Sequence, residues 1–147
     1  MDYALREAAL AASQEEVPIG AILVVDGNIY SKGGNRREAT NNPMGHAELL
    51  AIEHASEMLQ NWRVLNSTLY VTVEPCLMCT GAIYLSRITR VVYGCKNPKG
   101  GALQHVCENE KQFNLNHHVE VTSGIKEAEC AKLLKDFFGN LRKLRLL

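Results

Sequence analysis

The spacing of apolar side chains changes several times along the chain, and each change predicts an element. In residues 2–14, Tyr3, Leu5, Ala8, Ala9 and Ala12 recur at three- and four-residue intervals, the pattern of an amphipathic helix that ends before Pro18. IGAILVV (19–25) is then a short apolar run of strand type, and Asp26-Gly27 is a hairpin signal leading into a second strand, NIYSKG (28–33). Gly33, Gly34 and the polar run NRREATNNP predict a loop as far as Gly45. HAELLAIEHASEMLQ (46–60) has helical spacing, TLYVTV (68–73) is a β-branched strand, and CLMCTGAIYLS (76–86) is a second helix. RVVYG (90–94) and the shorter HVEVTSG (118–124) read as strands, and residues 126–146 as a closing helix. In that helix Leu133, Leu134, Phe137, Phe138, Leu141 and Leu144 recur at three- and four-residue spacing, so one face should pack on the domain. The first two strands can pair antiparallel, whereas the order strand–helix–strand from TLYVTV to RVVYG favours a parallel pair. The expected architecture is α/β, with a mixed central sheet of about five strands and helices on both faces. No repeat, low-complexity tract or linker interrupts the 147 residues, so a single domain spanning 1–147 is expected.

Composition narrows the setting. Hydrophobic residues make up 46% and charged residues 22%, and no apolar run reaches the ~20 residues needed to cross a bilayer, so no membrane partner is expected. MDYALREAALAASQEE carries acids throughout and lacks the basic start and unbroken apolar segment of a secretory signal, which makes a cytoplasmic location the expectation. Net charge is zero, which argues against indiscriminate nucleic-acid binding. The basic residues are nonetheless local: Arg142, Lys143 and Arg145 fall in the last nine positions, and Arg36, Arg37, Lys96 and Lys99 in two loops. Of five cysteines only Cys76 and Cys79 are close together; Cys95, Cys107 and Cys130 read as small buried apolar residues.

The close pair carries the chemistry. Zinc accepts imidazole nitrogen and thiolate sulfur, and C-x-x-C puts two sulfurs on one side of a helix's first turn. A structural site needs four protein ligands, but the chain has no second close pair, and the adjacent His117 and His118 cannot easily reach one ion together. His46 opens a helix after Pro43, Met44 and Gly45, so its ring can point off the helix end, while His54 reads as a surface residue. Glu48 stands two residues on. Helix starts bearing His46 and Glu48 on one side and Cys76 and Cys79 on the other can converge at the ends of adjacent strands, where open α/β sheets place their sites. One nitrogen and two thiolates leave a fourth position for water, and Glu48 is then a proton acceptor beside it.

His46-Ala47-Glu48 followed by Pro75-Cys76-Leu77-Met78-Cys79 fits the H-x-E and P-C-x-x-C signature of the zinc nucleobase deaminases. The chain resembles most the bacterial tRNA-specific adenosine deaminases, through EVPIGAILV, GGNRRE, HAELLAI, TLYVTVEPCLMCTGAI, SRITRVVYG, NPKGGA and ECAKLLKDFFGNLRKLR. That resemblance covers positions from Glu16 to Arg145 and implies a cytidine-deaminase-like three-layer fold. It implies hydrolytic deamination of adenosine to inosine at the anticodon wobble position, with one Zn2+ per chain held by His46, Cys76 and Cys79 and with Glu48 moving protons. It further implies that Asn35 and the backbone at Ala47 hold the flipped base, and that Asn97 lies near the sugar of the target nucleotide. Phe137, Phe138 and Arg142 would lie near the flanking nucleotides. The implied partners are a tRNA anticodon stem-loop and a second copy of the chain in a homodimer.

Two departures from the family pattern stand out: Met44-Gly45 replaces a small threonine- or serine-alanine pair, and Asn97 replaces an aspartate, removing a negative charge next to phosphates. Two other functions share parts of the signature. A guanine or cytosine deaminase of the same fold, acting on free bases, needs the same metal core but no basic loops or basic final helix. A noncatalytic zinc-stabilised RNA-binding module needs a fourth protein ligand and gives Glu48 no task.

Overall fold

A computed structural model describes residues 1–145. The chain runs α1 (Asp2–Ser13), β1 (Gly20–Val25), β2 (Asn28–Gly34), α2 (Arg37–Thr40), α3 (Ala47–Leu59), β3 (Ser67–Val73), α4 (Leu77–Leu85), β4 (Arg90–Cys95), α5 (Leu103–Glu108), β5 (Glu120–Thr122) and α6 (Glu127–Arg145). Residue 146, to which the final helix was expected to extend, lies outside the described residues.

The sheet has the order β2-β1-β3-β4-β5. β1 pairs antiparallel with both β2 and β3, while β3, β4 and β5 are parallel, so every strand but β1 points the same way. The segments that leave β2, β3 and β4 therefore emerge together along one edge of the sheet, and these carry Asn35, Cys76 and Asn97. α3, α4 and α5 cover one face; α1 and α6 cover the other. The main core lies between the sheet and the first of these layers, built from residues such as Leu23, Leu69, Val71, Ile83, Val91 and Leu103. A smaller cluster of Val73, Cys95 and Cys130 lies under α6, so Cys95 and Cys130 are indeed small buried packing residues.

Close helix–sheet packing depends on absent side chains. A Cβ on Gly33 would fall on the carbonyl oxygen of Ala47, so this glycine lets the first turn of α3 sit directly against β2. The residues that begin α3 are those expected to do chemistry, and Gly33 sets their height above the sheet.

Two elements and one face differ from the expectation. α2 and α5 are too short to show a period in the sequence; α5 is fixed by burying Leu103 and Val106. The apolar stripe of α6 is not buried throughout: Cys130 is buried, Leu133, Leu134, Phe137 and Leu141 are half-buried, and Phe138 (41%) and Leu144 (67%) are exposed. Nineteen helical residues extend about 28 Å, longer than the six-residue β4 beneath them at about 20 Å. The far turns of α6 overrun the sheet.

Candidate active site

His46 is the N-cap of α3 and Cys76 the N-cap of α4, both with extended backbone (φ −87°, ψ 144° and φ −72°, ψ 175°). Neither side chain caps its own helix. Each instead points off the helix end, and Cys79 joins them from the first turn of α4. His46 Nδ1 lies 3.6 Å from Cys76 Sγ and 3.5 Å from Cys79 Sγ, and the three ligand atoms lie within 4.8 Å of one another. A tetrahedral zinc with nitrogen at ~2.05 Å and sulfur at ~2.3 Å separates nitrogen from sulfur by about 3.6 Å. The donor set therefore has both the chemistry and the spacing for zinc, with one corner of the tetrahedron left to a non-protein ligand.

The three groups lie close enough to set one another's protonation. The neighbouring Cys79, and then His46, hold the Cys76 thiol down to about 4 against the cost of burial. Cys79 is driven up because the neighbouring Cys76, and then burial, favour its neutral form. The hydrogen bond to Cys76 raises His46, and the charge of Arg37 acts on it in the opposite sense. A bound cation lets both sulfurs ionise.

Glu48 follows in the first turn of α3 and is 3% exposed. Its Oε2 is buried and has no hydrogen-bond partner among the described residues. Burial pushes its carboxyl up to about 7, a value suited to gaining and losing a proton near neutrality.

Asn35, 3% exposed, follows β2 on the same edge. The Ala47 N–H donates to Asn35 Oδ1 at 3.0 Å, which uses that N–H and one of the two lone pairs of the amide oxygen. Asn35 retains its Nδ2 donors and a second lone pair on Oδ1 for a ligand. The loop after β4 is joined to the ligand-bearing turn: Cys76 and Gly101 form an antiparallel bridge, and the Ala102 N–H donates to Pro75 O at 2.9 Å. Asn97 closes this loop from inside, its Oδ1 accepting the Gly100 N–H at 3.1 Å and its carbonyl the Gly101 N–H at 2.9 Å. A side chain on Gly101 would collide with the Glu74 carboxylate.

His46, Glu48, Cys76, Cys79, Asn35 and Ala47 are thus brought together, with the Asn97 loop alongside. Phe137, Phe138 and Arg142 do not join them, because α6 packs on β3, β4 and α1, across the sheet from α3 and α4. The two phenylalanines meet edge to face at 5.4 Å, Phe137 half-buried and Phe138 exposed. Sequence reasoning missed Glu16, a carboxylate only 1% exposed beside the Asn35 segment, and the Tyr84–Glu110 hydrogen bond (2.7 Å) that ties α4 to the residues after α5. Glu16 does fall in the family-like stretch EVPIGAILV, the one available signal.

A mixed sheet that carries H-A-E and P-C-x-x-C along one edge defines a zinc-dependent deaminase. The sequence profile of the cytidine and deoxycytidylate deaminase zinc-binding region accordingly matches residues 1–95. The chain is 45% identical over 143 residues to the tRNA-specific adenosine deaminase of Bacillus subtilis (strain 168), spanning 97% of this chain and 89% of that protein. A solved structure from a study of A-to-I editing by tRNA deaminases at the wobble position superposes with a TM-score of 0.86 at 43% identity, covering 91% of this chain and 97% of that one. A guanine deaminase from Nitrosomonas europaea shares the fold (TM-score 0.78, 20% identity, 92% of this chain and 81% of that one). The chain belongs to the tRNA-specific adenosine deaminases, within the cytidine and deoxycytidylate deaminase family.

Proposed function

We propose that the protein converts adenosine to inosine at the wobble position of a tRNA anticodon: water adds to the amine-bearing ring carbon and the adjacent ring nitrogen, and the exocyclic C–N bond then breaks to release ammonia. His46, Cys76 and Cys79 hold one zinc, which when bound is a Lewis acid that makes water acidic near neutral pH. Glu48 Oε2, unpartnered and beside the ligand atoms, takes a proton from water and passes protons to the ring nitrogen and to the departing amine. Asn35 offers Nδ2 to an acceptor on the flipped base while the Ala47 N–H holds its other half still. The Asn97 loop brings Lys96 and Lys99 to the same edge for phosphate binding.

Two further features belong to this reading. α4 exposes Leu77, Met78 and Leu85 on its surface, with Trp62 and Phe113 also exposed, and a homodimer would cover this apolar surface. A tRNA substrate supports a cytoplasmic location; among the described residues no helix is long and apolar enough to cross a membrane.

The observation that carries the chemistry is the buried, unpartnered Glu48 oxygen beside a three-ligand zinc set. Zinc-loaded protein is to be incubated with a tRNA bearing a wobble adenosine, and in parallel with free guanine and free cytosine. Inosine in the tRNA, with both free bases unchanged, is the expected result. Deamination of a free base with intact tRNA overturns the assignment.

A further inference from the structure

Glu16 is the most buried acid in the chain, and the deamination chemistry leaves it without a task. It sits after α1, and its Oε1 accepts the N–H of Ala39, 23 residues away, at 2.8 Å. Ala39 is the third residue of α2, the position whose N–H an N-cap side chain ordinarily satisfies. The N-cap of α2 is Arg36, whose guanidinium has no acceptor, and it makes no capping bond. A residue far away in sequence supplies the cap that Arg36 cannot.

Elsewhere the same stretch is held by backbone bonds and by its own short side chains, Asn35, Thr40 and Asn42. The Asn35 N–H donates to Ile19 O at 3.1 Å, and the Arg36 N–H to Gly45 O at 2.9 Å. Asn35 is thus fixed by residues 19 and 47, whereas the turn beyond Arg36 is exposed through Met44 and has Glu16 as its buried side-chain anchor. Arg36 and Arg37 are exposed, and neither forms an ion pair among the described residues; Glu38 is their neighbouring acid. Arg37 lies close enough for its charge to act on His46.

We propose that Glu16 is a positioning residue for RNA: by capping α2 from outside, it permits arginine at the cap position and holds Arg36 and Arg37 at the site edge to meet phosphates beside the flipped base. This rests on the tRNA reading above. Glu16 itself touches no substrate.

The test compares zinc-loaded wild type, Glu16→Ala, Glu16→Gln, the double variant Arg36→Ala/Arg37→Ala and the triple variant. Amide exchange is measured across residues 35–41, and affinity, salt dependence, KM and kcat on an anticodon stem-loop. Glu16→Ala should speed exchange at Ala39 and its neighbours and weaken RNA binding roughly tenfold. The rise should fall on KM, with kcat at saturating RNA and zinc content nearly unchanged. Glu16→Gln keeps an acceptor and should restore wild-type behaviour. In the arginine-free background Glu16→Ala should add little, because the two changes remove one interaction. If Glu16→Ala does not fold, Glu16→Asp, which keeps the charge but not the reach, takes its place. Additive losses in both backgrounds, unchanged exchange, or a Gln variant as impaired as Ala overturn the proposal. Wild type that neither binds nor deaminates the stem-loop overturns the functional reading instead.

Discussion

Glu48 is a buried carboxyl group, 3% exposed, whose Oε2 has no hydrogen-bond partner among the described residues, so either protonation state is within reach near neutral pH. Glu48→Gln preserves shape and should keep zinc, fold and RNA affinity while lowering turnover by about 10²–10⁴-fold, measured as single-turnover inosine formation. The acceptor is the carboxylate, so the rate must fall as acid protonates it. Burial, with the charge of Cys76 adding to it, raises this group to about 7, and an adjacent cation favours the ionised form; the acid limb of kcat/KM should therefore lie at or below about 7. That limb should vanish in Glu48→Gln. The metal set, and with it the carboxylate proposed to move protons, was legible in the sequence because metal ligation demands particular side chains at fixed spacing, and H-A-E with P-C-x-x-C meets that demand. Glu16 was not, since its partner is a backbone N–H and any residue at 39 except proline provides one. Asn35 was half legible: the family resemblance pointed it at a base, but only the fold reveals that the Ala47 N–H occupies one lone pair of its amide oxygen.

Among the elements, the long helices and the strands followed from apolar period, because each buries one face or both against a neighbour. α2 and α5 did not, since one turn of helix carries no period and is held by tertiary bonds. α6 shows the limit in another way: its stripe reads as core from end to end, yet its far turns have no sheet beneath them. Phe137→Ala should lower the melting temperature, and Phe138→Ala, which loses only the edge-to-face contact of an exposed ring, should lower it less; if α6 meets RNA, Phe138→Ala should also weaken stem-loop binding. Arg142→Ala with Lys143→Ala should keep zinc content and stability and flatten the salt dependence, by about 0.7–0.9 in log–log slope for each phosphate no longer neutralised. Wild-type affinity and slope in that variant would remove the helix from the RNA site.

At the scale of the whole molecule, one sheet edge gathers segments that are far apart in sequence, and their order follows from a single reversed strand, β1. The hairpin and the parallel unit were both readable; that they share this edge depends on β1 lying between β2 and β3, which no local pattern encodes. The bridge between Cys76 and Gly101 makes a metal-ligand turn and the lysine-bearing loop parts of one backbone pair. Chelation should therefore do more than lower the melting temperature. With its ligands released, the turn at Pro75-Cys76 no longer anchors residues 96–101, and the exposed peptide bonds after Lys96 and Lys99 become open to trypsin. Brief digestion should leave zinc-loaded protein whole and nick the stripped protein there, as mass analysis of the fragments would show. Equal cleavage in both states would mean that loop and metal are independent. If they are coupled, a protease becomes a gauge of how much of a preparation carries its metal.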